Sequence, residues 1–491
     1  MREQIVALEE LGQMLSPDSV ERSNDIQEIS KFCSKFIDDL EHEKAYHQPK
    51  PLKELLNYDP AKTESILEIL SELKSDMMSN GLNPASGGHL GYIPGGGIHM
   101  GALGDYLAAV SNQYAGISFG GPGAVKIENE LIRWMNSLIG YPSTSLGNLA
   151  SGGSTANLIA FVTAREAREI HSREYEKQCI YLTHQVHHCV HKAIRICGLK
   201  EAQTRFIDVD SQFRMDVNTL ELQIQKDIKE GLTPFMIVAS IGTTDTGSVD
   251  PVNDIATIAE KYKIWFHIDA AYGGFFILSQ IQNEDGTFVK NLFKGVERSD
   301  SFVIDPHKGL FLSYGLGAVL IKDVASMYKA HYYKAAYMQD TLNSQDELSP
   351  ADLSVELTKH FRGMRLWLPL KHYGIHPFQS LLDEKILLCR YFYAEIQKLG
   401  FTVGPYPELS VCIYRYVPQD GNANYFNEKL LQEVLRIGKI FISSTSIDGV
   451  FWLRLAVLSF RTHLKEIDQL LVILNEAKTK ALTDTLTKDN N

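Results

Sequence analysis

The spacing of apolar residues changes along the chain and sets an N-terminal region apart from the rest. Up to about residue 60 the sequence is polar and helical in character, and Pro49 and Pro51 interrupt it near a predicted linker. From Thr63 to Met78, apolar residues recur at intervals of three or four. This spacing predicts a helix that ends at Asn80-Gly81.

Between about residues 99 and 325, helical patterns alternate with short apolar runs. The runs have the length and β-branched content of buried strands, and a helix over Val252–Tyr262 separates two of them. This alternation predicts an α/β domain with a largely parallel sheet, in which ligands bind at the carboxyl ends of the strands. The predicted strands are Cys179–Thr183, Arg205–Val209, Phe235–Ile241, Ile264–Ile268, Ser301–Ile304 and Gly317–Ile321.

After about residue 375 the pattern predicts a smaller α+β domain, in which strands pair locally and helices cover one side. We therefore expect an N-terminal helical segment over residues 1–98, a large α/β domain over 99–374 and a small domain over 375–491. The predicted elements of the small domain are helices at Leu381–Leu399, near Asn427–Ile437 and from Lys465, and strands at Ser410–Tyr416, Ile440–Ser443 and Phe451–Val457.

Residues 86–97 contain six glycines in twelve positions, which excludes a stable helix or central strand. The segment is either a flexible connector or an ordered wall that lets a backbone approach a ligand or a neighbouring subunit. Tyr92 and Pro94 within it favour the ordered wall.

Composition narrows the class of protein. A net charge of −12 argues against a nucleic-acid partner, which would require a surplus of Lys and Arg. The first fifteen residues lack the pattern of a signal peptide, and we expect no membrane span because no apolar run approaches about 18 residues. The six cysteines show no disulfide spacing, so reduced thiols and a cytoplasmic location are expected.

A lysine follows the predicted strand Ser301–Ile304 after a short Asp-Pro-His turn. Lys308 is either a solvated lysine on a surface turn or, at the carboxyl end of a strand, an amine nucleophile. Asp269 likewise follows an apolar strand, and it is either a helix cap or a charge partner for a metal or a cationic ring nitrogen. The small residues Ala270 and Ala271 would let a flat ligand lie against the backbone.

Three further segments contain groups that could bind a ligand, but none of them indicates a function by itself. Residues 148–157 open a glycine-rich helix at which backbone N–H groups could bind a phosphate, or they form a simple turn. Residues 184–191 are rich in histidine and could be a wet surface cluster, a zinc site through His187 and His191, or a ring that stacks on a cofactor. Residues 242–247 add hydroxyl groups after another strand.

One cofactor would use all of these groups. Pyridoxal 5'-phosphate needs a lysine for its aldehyde, an anion site for its phosphate, a carboxylate for its ring nitrogen and a flat group over the ring. A carboxylate beside the nitrogen keeps that nitrogen protonated, because opposite charges stabilise each other.

The blocks around Lys308, Asp269 and His187 resemble, in content and order, those of the group II pyridoxal-dependent decarboxylases. The resemblance covers roughly residues 60–375 and implies the aspartate-aminotransferase-type fold (fold type I), with a homodimer that the N-terminal segment helps to pack. It implies Lys308 as the Schiff-base lysine, Asp269 as the partner of the ring nitrogen and His187 as the stacking histidine. It also implies that Gly153, Ser154 and His307 surround the phosphate and that Thr244 and Ala271 lie near the ring.

The expected reaction is decarboxylation of an L-amino acid, with aromatic amino acids among the candidates. Two departures from the aromatic-specific relatives keep the substrate and product open. Ser349-Pro350 occupies the place of a loop tyrosine that returns a proton to Cα, which leaves Tyr332, Tyr333 and Tyr337 as substitutes. Residues 92–95 and 118–123 are richer in glycine and predict a differently shaped pocket.

The alternatives on the same scaffold are an aldehyde synthase, an aminotransferase and a carbon–carbon lyase. A catalytically inactive scaffold and a hydrolase built on a metal bound by the histidine cluster are further alternatives, and no metal is expected.

Overall fold

The computed structural model describes residues 1–51, 53, 59–283, 285–332 and 347–488, and side chains up to residue 483. Its N-terminal part consists of helices and one short strand pair that lead into the glycine-rich segment. The elements are α1 (Arg2–Gly12), α2 (Ser19–Asp39), β1 (Tyr46–His47), α3 (Ile66–Glu72) and β2 (Gly81–Leu82). The helix predicted over Thr63–Met78 begins at Ile66, because the Ser65 side chain caps it, and it continues as a wider π-helical turn over Leu73–Met78.

A seven-stranded sheet forms the centre of the large domain. The strand order is β3-β9-β8-β7-β6-β4-β5, and every neighbouring pair is parallel except the two that involve β9. The strands are β3 (Leu146–Ala150), β4 (Gln178–Leu182), β5 (Gln203–Phe206), β6 (Thr233–Ser240), β7 (Trp265–Asp269), β8 (Ser301–Ile304) and β9 (Gly317–Ile321).

Helices pack against this sheet, and its strands are almost entirely buried. The prediction of an α/β domain with a largely parallel sheet is confirmed. The helices are α4 (His99–Ser111), α5 (Pro122–Leu138), α6 (Gly153–Ala167), α7 (His188–Ile196), α8 (Val217–Lys229), α9 (Val252–Tyr262), α10 (Pro306–Gly309), α11 (Val324–His331) and α12 (Gly363–Tyr373).

The periodicity of the sequence did not indicate β3. This strand contains Gly147 and Asn148, which are uncommon in strands, and the glycine is required by packing. A Cβ at Gly147 would lie 2.0 Å from the carbonyl oxygen of Val319 on β9. The helix expected to open within residues 148–157 therefore starts only at Gly153, after the strand.

The small C-terminal domain is an antiparallel sheet of order β10-β11-β13-β12, covered by long helices. Its elements are α13 (His376–Lys398), β10 (Thr402–Val403), β11 (Val411–Arg415), α14 (Ala423–Ile437), β12 (Ser443–Ile447), β13 (Val450–Ala456) and α15 (Leu464–Lys488). The strand predicted at Ile440–Ser443 is wrong in position. Phe441 instead bonds to the backbone of Gly88 and Leu90, so this apolar run pairs with the glycine-rich segment.

Among the described residues, the helices lack the combination of length and apolar character that crossing a bilayer requires.

Candidate active site

The carboxyl ends of β6, β7 and β8 meet the start of α6 around one cavity of about 430 Å³. All eight residues that the sequence suggested line this cavity, although they are spread over more than 150 positions. They are Gly153, Ser154, His187, Thr244, Asp269, Ala271, His307 and Lys308. Parallel strands bring their carboxyl ends to one edge of a sheet, which explains the convergence.

Lys308 lies in the short helix α10, directly after β8. Its Nζ is 3.2 Å from the Oδ2 atom of Asp305, and about a quarter of its side chain is exposed (23%). Burial alone would lower the pKa of Lys308, but the carboxylates of Asp305 and Asp269 outweigh it and hold this pKa above its ordinary value. Without the cofactor the amine is therefore an ammonium ion held between two carboxylates.

Asp269 ends β7, and both of its carboxylate oxygens have partners. Oδ1 accepts a hydrogen bond from the backbone N–H of Ala271 at 3.1 Å, and Oδ2 accepts one from the Asn157 side chain at 3.2 Å. Asn157 belongs to α6 and is fully buried. The carboxylate thus has a fixed orientation toward the cavity.

A buried hydrogen-bond chain continues behind Asn157. Its amide oxygen is 2.8 Å from Nε2 of His267, whose Nδ1 is 2.8 Å from the Ser301 hydroxyl. The indole N–H of Trp265 donates to the same hydroxyl at 2.9 Å. Burial lowers the pKa of His267 to about 4, so the ring is neutral at pH 7 and its Nε2–H donates to Asn157. Each member therefore has one consistent donor and acceptor role.

His187 caps the start of α7 at the edge of the cavity. Its Nδ1 accepts a hydrogen bond from the backbone N–H of Cys189 at 3.3 Å, so the neutral ring carries its proton on Nε2. Burial lowers the pKa of His187 and keeps the ring neutral near pH 7, although Asp269 acts in the opposite direction. A neutral, flat ring with a fixed tautomer is suited to stacking on an aromatic ligand.

The histidine-rich segment disperses rather than forming a cluster of ligands. His184 stacks on Phe206 with ring centroids 4.1 Å apart, and His191 lies 6.0 Å from the same ring. Within the described ranges, His, Cys, Asp and Glu side chains form no group of three that could hold a metal ion. Their geometry gives the metal-dependent alternative no support.

The glycine-rich start of α6 lies at one end of the cavity, and residues 152–155 are called the anion cradle below because backbone N–H groups at a helix start attract negative charge. The first N–H, that of Gly153, points at a carboxylate oxygen of Asp305 at 3.2 Å, and the Ser154 side chain is exposed in the cavity. A Cβ at position 153 would approach Ala271 to 3.1 Å. His307 donates from Nδ1 to the carbonyl oxygen of Leu316 at 2.6 Å, which fixes its ring beside the same cradle.

Tyrosines at the site bear on proton transfer. Tyr314 lines the cavity with 56% of its surface exposed, and its phenol is protonated near pH 7 because the ordinary pKa of tyrosine is about 10. Tyr272 also lines the cavity, but its hydroxyl is paired with Ser410 at 2.7 Å. Tyr332 stacks on Tyr328 with ring centroids 4.4 Å apart, and the cavity wall does not include it.

Ser349-Pro350 is fixed in place. The Ser349 hydroxyl accepts from the Ser118 backbone at 3.0 Å, and the carbonyl oxygen of Pro350 accepts from Asn148 at 2.7 Å. Tyr333 and Tyr337 lie outside the described residues.

The glycine-rich segment 86–97 is an ordered wall rather than a flexible connector. Its backbone pairs with Phe441, and a Cβ at Gly95 would lie 2.0 Å from the carbonyl oxygen of His307. Arg454 on β13 is buried and donates to the carbonyl oxygens of Thr244 at 2.7 Å and Tyr92 at 3.1 Å. The small domain thereby contacts one residue of the cavity lining, Thr244, and the backbone of the glycine-rich segment.

Sequence reasoning left several cavity or support residues without a role, among them Asn157, Cys189, Asp305 and Tyr314. Asp305 carried a usable signal, because it directly follows a strand and precedes the lysine by three positions. The other three are brought to the site only by tertiary contacts.

The residues present fit pyridoxal 5'-phosphate. The cavity volume lies within the usual range of about 300–1,000 Å³ for small-ligand sites. The lysine amine, the oriented carboxylate, the neutral flat ring and the anion cradle are the four groups that this cofactor requires.

Comparisons with known proteins agree with this geometry. The model of the pyridoxal-dependent decarboxylase conserved domain matches residues 49–415. An aromatic-L-amino-acid decarboxylase of Bacillus atrophaeus is 31% identical over 464 residues, which cover 91% of this chain and 93% of that protein. A phenylacetaldehyde synthase of Petunia hybrida is 28% identical over 482 residues, which cover 93% of each chain.

Solved structures give the same fold. Tryptophan decarboxylase of Catharanthus roseus, in complex with L-tryptophan, superposes with a TM-score of 0.86 at 21% identity, covering 95% of this chain and 99% of that one. The Oryza sativa enzyme with pyridoxal phosphate and tryptamine gives 0.87 at 23% identity and the same coverage. The predicted aspartate-aminotransferase-type fold is thus confirmed.

Proposed function

The chain belongs to the pyridoxal-dependent decarboxylase family, and we propose that it removes the α-carboxylate of an L-amino acid, preferably an aromatic one, releasing the amine and carbon dioxide. Its cofactor is pyridoxal 5'-phosphate. The observation that carries the proposal is the single cavity in which Lys308 and Asp269 face the start of α6. The preference for aromatic substrates rests on relatives such as the Bacillus atrophaeus enzyme.

Lys308 is proposed to bind the aldehyde carbon of the cofactor covalently. Its amine must first lose the proton that Asp305 and Asp269 stabilise. Asp269 would stabilise the Lys308 ammonium ion less if it also paired with a protonated ring nitrogen, and Lys308 would then lose its proton more readily.

Asp269 is proposed to keep the ring nitrogen protonated, and the bound cofactor then supplies an electron sink for the bond to the departing carboxylate. Asn157 and Ala271 hold the Asp269 carboxylate in one orientation. His187 is proposed to stack on the ring, and its Nε2–H would orient the substrate carboxylate. Gly153, Ser154 and His307 are proposed to contact the phosphate, with Thr244 and Ala271 beside the ring.

Lys308→Ala tests this assignment directly. We expect loss of turnover and loss of the cofactor's covalent attachment, measured by borohydride reduction followed by mass spectrometry of the peptide that contains residue 308. Lys322→Ala is the matched control, because Lys322 lies just after β9 and donates to the carbonyl oxygen of Glu297 instead. Wild-type turnover by the Lys308 variant would remove that residue from the proposal.

A second function, oxidative production of an aldehyde, is favoured by the family resemblance, which implies that Ser349-Pro350 stands where a loop tyrosine is expected. That reaction consumes oxygen and water and releases aldehyde, carbon dioxide, ammonia and hydrogen peroxide. One of the relatives is a phenylacetaldehyde synthase. Incubation with a panel of amino acids, with carbon dioxide, amine, aldehyde and peroxide recorded together, separates the two functions.

Tyr314 is the residue to change in that assay. If its protonated phenol returns a proton to Cα, Tyr314→Phe lowers the ratio of amine to aldehyde. An unchanged ratio would assign the proton to another donor. Tyr272→Phe is the matched control, since that hydroxyl is already bound to Ser410.

We also propose a homodimer located in the cytoplasm. In the described part of the chain, α1 and α2 bury none of their residues, and α1 exposes Ile5, Val6, Leu8 and Leu11. The outer face of α4 adds Tyr106 and Val110. Apolar surface of this extent favours contact with a second copy. Light scattering of the wild type and of a Leu8→Glu/Leu11→Glu variant would test the dimer, and a monomeric wild type would contradict it.

A further inference from the structure

Two buried cations contact the strand that leads into the anion cradle. This strand, β3, forms one edge of the seven-stranded sheet. The carbonyl oxygen of Leu149 on β3 accepts a hydrogen bond from Nζ of Lys359 at 3.1 Å and another from Nη1 of Arg362 at 3.2 Å. Leu149 lies three positions before Gly152, where the cradle begins. The backbone just ahead of the cradle is therefore held by side chains that come from a distant part of the sequence.

The ammonium group of Lys359 is fully enclosed. The side chain is 0% exposed, and its Nζ lies 2.8 Å from the carboxylate of Glu128 on α5. The same Nζ donates to the side-chain oxygen of Asn148 on β3 at 3.1 Å. The Glu128 carboxylate, which is 2% exposed, also accepts from the backbone N–H of Gly363 at 3.0 Å. Lys359 and Glu128 thus join α5, the end of β3 and the start of α12.

Stability alone does not explain an ion pair at this place. Burying two charges costs desolvation energy that their attraction barely repays, and apolar residues of similar volume are often at least as stable. The carboxylate of Glu128 also compensates the charge of Lys359, so the ammonium group attracts a more distant anion only weakly. What the lysine contributes is a fixed set of hydrogen bonds to β3.

The end of β3 continues directly into the cradle, which is packed tightly against β9. A Cβ at Gly317 on β9 would lie 2.7 Å from the Cα atom of Gly152. The first intrahelical hydrogen bond of α6 runs from the N–H of Ala156 to the carbonyl oxygen of Gly152 at 3.0 Å. The N–H groups of Ser154 and Thr155 come before it and are available to an anion. A displacement of the end of β3 would therefore move these two donors.

We propose that Lys359 is a positioning residue for the cofactor's phosphate: by holding Leu149 and Asn148 it fixes the end of β3 and, with it, the N–H donors of the anion cradle. This inference rests on the proposed function, since that function puts the phosphate at Gly153 and Ser154. In the described part of the chain, Lys359 lies outside the cavity lining, so it acts on the phosphate only through the backbone. Loosening the lysine should weaken the binding of the phosphate and leave the attachment of the ring unchanged.

The test compares pyridoxal phosphate with pyridoxal, which forms the same bond to Lys308 but lacks the phosphate. The ratio of their two dissociation constants, measured on the cofactor-free full chain from the absorbance of the Schiff base, isolates the contribution of the phosphate. Glu128→Gln/Lys359→Met removes both buried charges and keeps most of the volume, so its melting temperature should stay close to that of the wild type. We expect its preference for pyridoxal phosphate to fall about tenfold, which corresponds to the loss of one hydrogen bond to a charged group.

Two controls separate the lysine's contacts from its charge and from stability. Glu128→Gln alone keeps the lysine and its hydrogen bonds to β3, so its ratio should match that of the wild type. Lys385→Met removes another lysine with a 0% exposed side chain, on α13 of the small domain. Its Nζ lies 2.7 Å from Glu384 and donates to the carbonyl oxygen of Thr462 at 2.6 Å. This variant should lose stability and keep the wild-type ratio.

An unchanged ratio in the folded double variant overturns the inference and leaves the proposed function standing. An equal fall in Glu128→Gln also overturns it, because the charge of the pair would then matter rather than the contacts of the lysine. If the double variant does not fold, Lys359→Gln, which is shorter and uncharged, decides by the same ratio. Equal affinity of the wild type for pyridoxal and pyridoxal phosphate would instead show that the cradle does not bind phosphate, and both proposals would then fail.

Discussion

Neighbouring parallel strands, β7 and β8, both deliver a buried aspartate to the same cavity, but the two carboxylates are supported differently. Asp269 has a donor for each oxygen, and a chain of three further side chains lies behind one of these donors, Asn157. Asp305 has a donor for one oxygen only, and the backbones of Gly153 and Gly317 pack against its carboxylate.

The difference separates two uses of a buried charge. A carboxylate with every oxygen satisfied holds a cation in one place, because moving it would break several buried hydrogen bonds. The unpaired oxygen of Asp305 is buried against the backbone of Gly317, so the charge of this carboxylate is compensated less completely. The two strand ends therefore combine a carboxylate that is fully hydrogen-bonded with one that is only partly so.

The largest expected effect comes from removing the fixed charge. Asp269→Ala should lower kcat by about 10²- to 10³-fold or more, because the ring nitrogen loses its charge partner in the water-poor site. Steady-state kinetics with saturating cofactor measures the change. A kcat within a factor of two of the wild type would show that another group fulfils this role.

A smaller effect should follow from loosening the fixed charge without removing it. Asn157→Ala takes away one donor to Asp269 and breaks the chain that leads to Trp265, for an expected loss of about 10- to 100-fold in kcat. The absorbance band of the bound cofactor should shift with pH in this variant, since the ring nitrogen is held less firmly. A loss of stability with an unshifted band would mark Asn157 as purely structural.

The pH dependence of lysine attachment tests whether the two carboxylates act together. Their charges raise the pKa of Lys308, so the free amine is scarce at neutral pH and its fraction grows about tenfold per pH unit below that pKa. Stopped-flow mixing of the cofactor-free protein with pyridoxal should show a rate that rises with pH between 6 and 9. A flat profile would indicate an amine already free at pH 6.

The smallest effect is expected at the far end of β8. Asp300→Asn removes a carboxylate that accepts from the backbone N–H of Phe266 at 2.8 Å, away from the cavity. We expect kcat within about twofold of the wild type and a modest loss of thermal stability, of about 1 kcal/mol. A large loss of kcat would mean that a carboxylate at either end of β8 affects catalysis. The effect would then not be specific to the end that faces the cavity.

The sequence predicted the site best where a reactive residue directly follows a predicted strand. Lys308 and Asp269 each follow an apolar run, and parallel strands bring such ends together, so their proximity followed from the pattern. Gly153 and Ser154 were recognisable because glycine and serine are unfavourable inside a helix. Their presence before an apolar helical pattern therefore indicated a helix start. The roles of these residues stay predictions until the variants are measured.

The remainder depended on tertiary packing. Asn157 is one polar residue among several in α6, and it matters because His267 and Asp269 lie beside it. β3 was missed because packing against β9 imposes a glycine on a strand. The run at Ile440–Ser443 has the pattern of a strand but bonds to Gly88 and Leu90, more than 350 positions earlier, which local spacing does not reveal.

Arg454 has a consequence for how the molecule can be divided. The matched family domain ends at residue 415, yet this arginine, 39 positions later, donates hydrogen bonds to the backbone of Thr244 in the cavity wall and of Tyr92 in the glycine-rich segment. Truncation at residue 415 would remove β13 and, with it, both of these Arg454 hydrogen bonds. The C-terminal sheet is therefore an integral part of the enzyme, and neither modular recombination nor a shortened fragment can be expected to preserve turnover.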